Sequence, residues 1–383
     1  MTDRMDLADP ETDAPGPMDH GRMDHGRMDH GRMDHGEMDA VAQVARAVLY
    51  EGYLLWPYRA SALKNTRRWT LGGVYPPACA ATGDSSLMRT QVLVEADPGD
   101  TVDVRLCYLH TVTLEVARLD GDELVPVPEL AVGGRRHRPR EEATERRVAA
   151  TGLDLMDLTR RPVVLDIEVP DGRDVEWPAG PDGRRAGALT RSWRALRGRM
   201  EIRAERLAAP GPLERGSLLR LTVTVENTSD WAGGSRSEAM RYTFASAHTI
   251  LHSPTALFVS LTDPPEALRA HAEACENVGT WPVLAGEEGN RHTVLSSPII
   301  LYDHPKVAPE SPGDLFDATE IDQLLTHSIL ALTDEEWQEI REGDPKGAEI
   351  LERCVSLPPE RLMRLYGATR EFRPLGEATE AGR

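Results

Sequence analysis

Alternating apolar and polar residues along several short segments constrain the fold of this chain more than any other feature. Residues 218–227 have the sequence LLRLTVTVEN, in which apolar side chains occupy every second position from Leu219 to Val225. A period of two residues is typical of a β-strand with one face in a core and the other in solvent. The same analysis predicts strands at residues 91–96, 101–119, 161–169, 199–207 and 249–261. Because Asn, Ser, Asp and Gly separate these short strands, the pattern predicts a β-sandwich.

The segments between the predicted strands are rich in charged and turn-forming residues. The turn sequence DPGD at residues 97–100 indicates that the strands on either side of it are antiparallel. Residues 133–149 are highly charged, and we expect them to form a loop or a short helix. Their basic run RRHRPR, at residues 135–140, is interpreted as a solvated loop, with an anion site as the alternative. Residues 170–189 contain many Pro and Gly residues and are expected to form a long connection.

Helical patterns lie on both sides of the β-rich part. Residues 40–50 have the small apolar spacing of a short helix, and helical periodicity returns from residue 318 onward, where Thr333 and Glu336 form a capping-box pattern. The predicted fold is mainly β with α additions: a β-sandwich-like body, C-terminal helices and a disordered N-terminal tail. The predicted regions are a tail at 1–39, an N-terminal β-rich region at 40–185, a β-sandwich-like region with long loops at 186–317, and a C-terminal helical region and tail at 318–383.

The N-terminal region contains a five-residue repeat, MDHGR or MDHGE, which carries His20, His25, His30 and His35. Five residues turn an α-helix by about 140°, so these histidines would not share a helix face, and a Gly in each unit disfavours helix. We expect a disordered tail whose imidazoles bind Ni(II), Cu(II) or Zn(II), while its Met thioethers suit Cu(I). The alternative is a tolerated polar tail that arose by expansion of a short DNA repeat.

The formal net charge of −19 argues against electrostatic binding to nucleic acid or to an anionic membrane surface. The N-terminus is acidic and lacks the apolar run of a signal peptide, and no segment approaches the roughly 20 apolar residues of a membrane helix. We therefore expect a cytoplasmic protein without membrane insertion. The four cysteines are far apart and form no CxxC pair, which fits reduced thiols better than a disulfide framework.

One candidate metal or catalytic pair lies in the second half of the chain. Residues 266–275 are predicted to be helical, which places His271 and Cys275 on one helix face. Two ligands do not make a metal site, so a third would have to come from another histidine. The candidates are His248, His252, His292 and His304. The alternative interpretation of His271 and Cys275 is ordinary polar surface or helix packing.

The sequence contains none of four common catalytic or nucleotide-binding motifs in the context that each requires. It contains no GxSxG, HExxH or P-loop motif, and no GxGxxG motif in the required context. An enzyme of unknown reaction would have to use the loops at residues 271–304, with Cys275, His271 or Asp303 meeting in a pocket. A cluster of six Tyr and Trp residues between residues 50 and 75 is interpreted as a packed corner, with a partner surface as the alternative.

Two sequence blocks carry a resemblance to a known family. The first, residues 47–76, is AVLYEGYLLWPYRASALKNTRRWTLGGVYP, and the second, residues 294–336, begins VLSSPIILYDHPKVAPESPGDLF. In these blocks, and across most of residues 40–366, the chain resembles an uncharacterised, largely actinobacterial family associated with NiFe-hydrogenase operons. The N-terminal repeat resembles the Met-Asp-His repeats of bacterial copper-handling proteins and the His-rich tails of nickel-storing metallochaperones.

The resemblance implies an accessory role in assembling, maturing or supporting a NiFe-hydrogenase, and it implies no catalytic residues. The first hypothesis is therefore a non-enzymatic protein that presents the aromatic cluster and the loops at residues 281–322 to a hydrogenase subunit or maturation factor. A copper or nickel buffer or delivery protein, in which the N-terminal tail binds the metal, is the first alternative. An enzyme that uses the 271–304 loops is the second.

Overall fold

Two antiparallel sheets, of nine and five strands, pack against each other across a shared apolar core. This arrangement, seen in a computed structural model, confirms the prediction of a mainly β protein with a sandwich-like body. The structure describes residues 35–49, 70–133, 135–180 and 183–306.

The nine-stranded sheet has the strand order β15-β16-β13-β3-β10-β9, with β1 paired to β13 and with β4 and β7 paired to β3. The five-stranded sheet has the order β14-β2-β12-β11-β8, and β5 and β6 form a separate hairpin. The strands are β1 (Gly73–Val74), β2 (Leu87–Ala96), β3 (Thr101–Asp120), β4 (Glu123–Pro126), β5 (Leu130–Val132), β6 (Arg135–His137), β7 (Arg140–Asp154), β8 (Val163–Val169), β9 (Gly172–Glu176), β10 (Gly187–Trp193), β11 (Leu196–Leu207), β12 (Ser217–Asn227), β13 (Phe244–His252), β14 (Leu257–Val259), β15 (Trp281–Leu284) and β16 (Thr293–Ser297).

The helices of the described residues are few and mostly short. They are α1 (His35–Leu49), α2 (Leu155–Leu158), α3 (Arg236–Ala239) and α4 (Arg269–Glu273), and 3-10 turns lie at Pro77–Thr82, Met240–Tyr242 and Glu266–Leu268. Asp154 caps α2 by accepting hydrogen bonds from two backbone N–H groups, and Ser235 caps α3 in a capping box with Glu238. No helix of the described residues is long and apolar enough to cross a membrane.

The core between the sheets follows the alternation seen in the sequence. Leu219, Leu221, Val223 and Val225 of β12 are all buried, and they face apolar side chains from β3 of the opposite sheet. Tyr108 and Phe244 meet edge to face in this core, with ring centroids 4.7 Å apart. The period-two pattern therefore predicted the buried face of this strand correctly.

Helix α1 covers part of the nine-stranded sheet through a second apolar cluster. Met38, Val41 and Leu49 of the helix pack with Ile250 of β13 and Leu295 of β16. The helix confirms the prediction at residues 40–50, but it begins earlier, at His35. Because Met38 is buried in this cluster, the incomplete unit Met38–Asp39 that follows the last full repeat contributes to the folded body.

Two predicted connections have a different geometry in the structure. The DPGD turn does not close a hairpin, because β2 belongs to the five-stranded sheet and β3 to the nine-stranded sheet. Asp100 holds this turn by accepting hydrogen bonds from the backbone N–H of Asp97 and from the hydroxyl of Thr255. The predicted strand at residues 249–261 is likewise divided into β13 and β14, which lie in different sheets.

The prediction of a loop or short helix at residues 133–149 is wrong, because most of this segment is β6 and β7. The charges of β7 are paired with distant residues: Glu142 with Arg191 at 2.9 Å, and Glu145 with Arg46 at 2.8 Å. Residues 170–189 similarly contain β9 and the start of β10. Ion pairs with α1 and with β10 make the charged residues of β7 compatible with a strand, and the local sequence does not reveal those partners.

The predicted boundary between residues 185 and 186 falls within the sandwich. Strand β12 pairs with β2, and β13 pairs with β3, so strands from both sides of that boundary share each sheet. The region predicted at 318–383 and the greater part of the tail predicted at 1–39 lie outside the described residues. The predicted C-terminal helices and the predicted tail disorder therefore stay predictions.

Candidate functional site

The most exposed large apolar side chains of the described structure lie on the segment at residues 298–304, which follows β16. Ile300 is 77% exposed and Tyr302 is 86% exposed. The segment starts beside Ser297, which pairs with Trp281 of β15, and ends at His304, which bonds to Leu284 of the same strand. It therefore runs along β15, where Trp281 is itself 45% exposed. We call the surface formed by Ile300 and Tyr302 the docking face.

Inward-facing neighbours fix the orientation of the 298–304 segment. Ile299 and Leu301 pack against the apolar cluster beneath α1, which also contains Val283 and Leu295. Because successive side chains of an extended segment point to opposite sides, Ile300 and Tyr302 then face away from the body. Their exposure follows from the burial of their neighbours.

Hydrogen bonds of Asp303 and His304 anchor the end of this segment. One carboxylate oxygen accepts a 2.8 Å hydrogen bond from the backbone N–H of Leu284, and the other accepts a 2.5 Å bond from the Ser260 hydroxyl. The backbone N–H of His304 donates to the Leu284 carbonyl at 2.7 Å, with His304 in a left-handed conformation at φ 56°. Both oxygens of Asp303 are thus engaged in holding the chain.

The start of the segment packs against residues from the first half of the chain. Gly72 has a left-handed φ of 70°, and a Cβ atom added there would lie 2.2 Å from the Cβ atom of Pro298. Only a glycine can occupy this position without a shift of the backbone or of the proline ring. This contact brings together the two sequence blocks at residues 47–76 and 294–336.

Ser246 contacts Leu49 and Thr70, the described residues on either side of residues 50–69. Its hydroxyl donates a 2.9 Å hydrogen bond to the Leu49 carbonyl, and it lies 2.9 Å from the Thr70 hydroxyl. Its backbone N–H also donates to the Thr70 hydroxyl oxygen at 3.0 Å. Ser246 has a left-handed φ of 49° at an irregularity of β13. Leu49 and Thr70 therefore both contact the same side chain. Of the predicted aromatic cluster, Tyr75 is described, and its other members lie outside the described residues.

The predicted pair lies beside the five-stranded sheet, with His271 in α4 and Cys275 just after it. The Nε2 atom of His271 lies 3.0 Å from the Ala208 carbonyl oxygen, and the Cys275 thiol donates to the His271 carbonyl oxygen at 3.5 Å. Burial raises the pKa of Cys275 to about 11, with Arg220 acting in the opposite direction. The thiol is therefore protonated at neutral pH, and it bonds the backbone of His271 instead of its ring.

The four histidines considered as third metal ligands lie on other elements. Among the described residues, no three His, Cys, Asp or Glu side chains are grouped as a metal site. His248 and His292 each place Nδ1 near a backbone carbonyl, of Ser246 and Ala256 respectively, and His252 pairs with Thr293. The buried Nδ1 atom of His304 has no hydrogen-bond partner in the described structure.

The tail histidines have no described environment. His20, His25 and His30 lie outside the described residues, and His35 is the first residue of α1. Metal binding by these residues stays a prediction.

Comparison with models of protein families found no match to this chain, and comparison with curated proteins also found none.

Proposed function

We propose that this protein is a non-enzymatic accessory factor that binds a protein partner through the docking face. The observation that supports this proposal is the exposure of Ile300 and Tyr302 on a segment held at both ends, by Pro298 against Gly72 and by Asp303 against Leu284. Exposed apolar groups on a rigid segment favour binding, because little conformational freedom is lost when a partner covers them. Tyr and Trp are also the residues that most often supply binding energy at interfaces.

For the partner we propose a NiFe-hydrogenase subunit or maturation factor. The proposal rests on the resemblance of the two blocks at residues 47–76 and 294–336 to the hydrogenase-associated family. The described residues of these blocks include Ile300 and Tyr302, together with Gly72 and Pro298, which are in contact at the start of the same segment. The sequence that carries the resemblance is thus also the sequence that builds the docking face.

Copurification from cells that express the hydrogenase operon tests this proposal. Full-length tagged protein is expected to retain hydrogenase components, and the double substitution Ile300→Ser and Tyr302→Ser is expected to reduce their recovery at least about tenfold, as loss of interface anchors does. Leu124→Ser is the matched control, because Leu124 is an exposed apolar residue of β4 outside the docking face. Recovery of no hydrogenase component with the unmodified protein would contradict the proposal.

A metal-binding tail is the second candidate function, and the five-residue spacing of His20, His25, His30 and His35 favours it. Because Met38 is buried in the body, the informative deletion removes residues 1–34 and keeps α1. Calorimetric titration with Ni(II), Cu(II) and Zn(II) should show binding to the full chain and its loss in the deletion. Equal binding by both chains would remove the tail from consideration.

The enzyme alternative has no supporting observation in the described residues. Cys275 and His271 contact backbone carbonyls, and Asp303 uses both carboxylate oxygens for structural hydrogen bonds.

A further inference from the structure

The five-stranded sheet has one face against the core and one outer face. The outer face contains a cavity of about 200 Å³. Its floor includes Thr224 of β12, which pairs with Arg89 of β2 on one side and with Glu201 of β11 on the other. Arg199 and Arg203 flank Glu201 at alternate positions of β11, and Glu226 completes the charged lining. Three arginines thus line one cavity together with Thr224, on a protein whose net charge is negative.

Two of these arginines have donors that the protein does not use. Arg199 and Arg203 approach Glu201 at 3.8 and 3.9 Å, which is longer than a hydrogen bond. Neither guanidinium group makes a hydrogen bond within the described structure, and both side chains are about half exposed. Arg89 reaches Glu276 at 3.3 Å and is less exposed. Arg199 and Arg203 are therefore available to an external acceptor.

We propose that this cavity binds a carboxylate group. A guanidinium group presents paired N–H donors that match the two oxygens of a carboxylate, and the Thr224 hydroxyl supplies a further donor at the centre. Glu276 pairs with Arg89 from outside the lining, so Arg199 and Arg203 are the arginines left for a ligand, and Glu201 and Glu226 limit that ligand to a single negative charge. A dianionic phosphate is disfavoured, because Glu201 and Glu226 would repel the second charge.

The carboxylate can belong to a free small molecule or to an acidic side chain of another protein. The chemistry is the same in both cases, and an experiment can separate the two sources. The cavity lies on the five-stranded sheet and the docking face lies on the nine-stranded sheet, so this inference stands independently of the proposed function.

Calorimetric titration of the full-length protein tests the inference with three probes: acetate, a short C-terminally amidated peptide with one glutamate, and inorganic phosphate. Binding of acetate alone assigns a free ligand, and binding of the peptide alone assigns a protein segment. Phosphate is expected to bind more weakly than whichever carboxylate probe binds. Absence of binding by both carboxylate probes would overturn the inference, as would a preference for phosphate.

Two sets of substitutions on β11 should change the affinity for a carboxylate in opposite directions. Arg199→Ala combined with Arg203→Ala should weaken carboxylate binding at least about tenfold, because two charge-assisted contacts are lost. Glu201→Gln should strengthen it, because the competing internal acceptor loses its charge. Arg197→Ala is the matched control, since Arg197 is an exposed arginine of the same strand that does not line the cavity. An equal loss in the Arg197→Ala variant would assign the binding to general surface charge and overturn the inference.

Discussion

Gly72 lies in direct contact with Pro298, so closely that a methyl group at residue 72 would overlap the proline ring. The contact joins two segments that are more than two hundred residues apart in the sequence. It positions the first residue of the segment that carries Ile300 and Tyr302, so the shape of the docking face depends on a residue far from it in the chain.

Gly72→Ala should destabilise the protein by about 2–4 kcal/mol, because strain at a left-handed φ adds to overpacking against Pro298. Gly83→Ala separates the two causes. Gly83 also has a left-handed φ, of 86°, but has no atom within 4 Å of an added Cβ, so only about 1 kcal/mol is expected there. Urea unfolding of both variants measures the difference, and equal losses would show that the Pro298 contact does not contribute.

Ser246→Ala should lower the free energy of unfolding by about 1–3 kcal/mol, because the Leu49 carbonyl loses its hydroxyl donor. Ser246→Gly loses the same hydroxyl but relieves the strain at φ 49°, so it should be less destabilising than Ser246→Ala by about 1 kcal/mol. Chemical denaturation of the two variants provides the test. If the glycine variant is the less stable one, the backbone strain assigned to Ser246 is incorrect.

Stability should fall as pH decreases from 7 toward 4, in part because of His248. Burial lowers the pKa of this histidine to about 4, although its bond to the Ser246 carbonyl acts in the opposite direction. The unfolded chain, with a pKa of about 6.5, gains a proton in this range before the folded chain does, so acid favours unfolding by up to about 3 kcal/mol. His248→Asn cannot titrate, and its unfolding free energy should depend less steeply on pH. An unchanged slope would contradict the prediction.

Cys275 should react slowly with iodoacetamide at pH 7.5. Its pKa of about 11 leaves about a hundredfold less thiolate than an ordinary cysteine with the reference pKa of 9. The rate, followed by mass spectrometry of the modified peptide, should rise steadily as pH is raised to 10. Cys107 has a pKa raised by burial to the same value but is fully buried, so it provides a control for access. Rapid modification of Cys275 at neutral pH would reopen its interpretation as a nucleophile.

The buried face of β12 was predictable because its alternation is a local property of the sequence. The strand β7 was not, because its charges are accommodated by Arg46 and Arg191, which lie elsewhere in the chain. The charged face of β11 was predictable in part. The alternation of Arg199, Glu201 and Arg203 with buried residues predicts one polar face, but their convergence on Thr224 depends on strand register.

The docking face was predictable only as a region. The sequence IILY at residues 299–302 contains four large apolar or aromatic side chains, and nothing in their order shows which two are buried. The choice depends on α1, whose apolar cluster Ile299 and Leu301 join, and on the hydrogen bond that Asp303 accepts from Leu284 of β15. The pairing of Ser246 with Leu49 and Thr70 is equally non-local.

The hydrogen bonds of Asp303 and His304 to Leu284 also restrict how another chain can associate with the molecule. Successive residues of an antiparallel strand direct their N–H and carbonyl groups to opposite sides. In β15, Trp281 and Val283 direct theirs toward β16, so Pro282 and Leu284 direct theirs away from it. The N–H and carbonyl of Leu284 are already bonded, and Pro282 has no N–H group to offer. This strand therefore lacks a free donor with which a foreign strand could extend the sheet. The proposed partner would then have to recognise side chains, among them those of Ile300 and Tyr302.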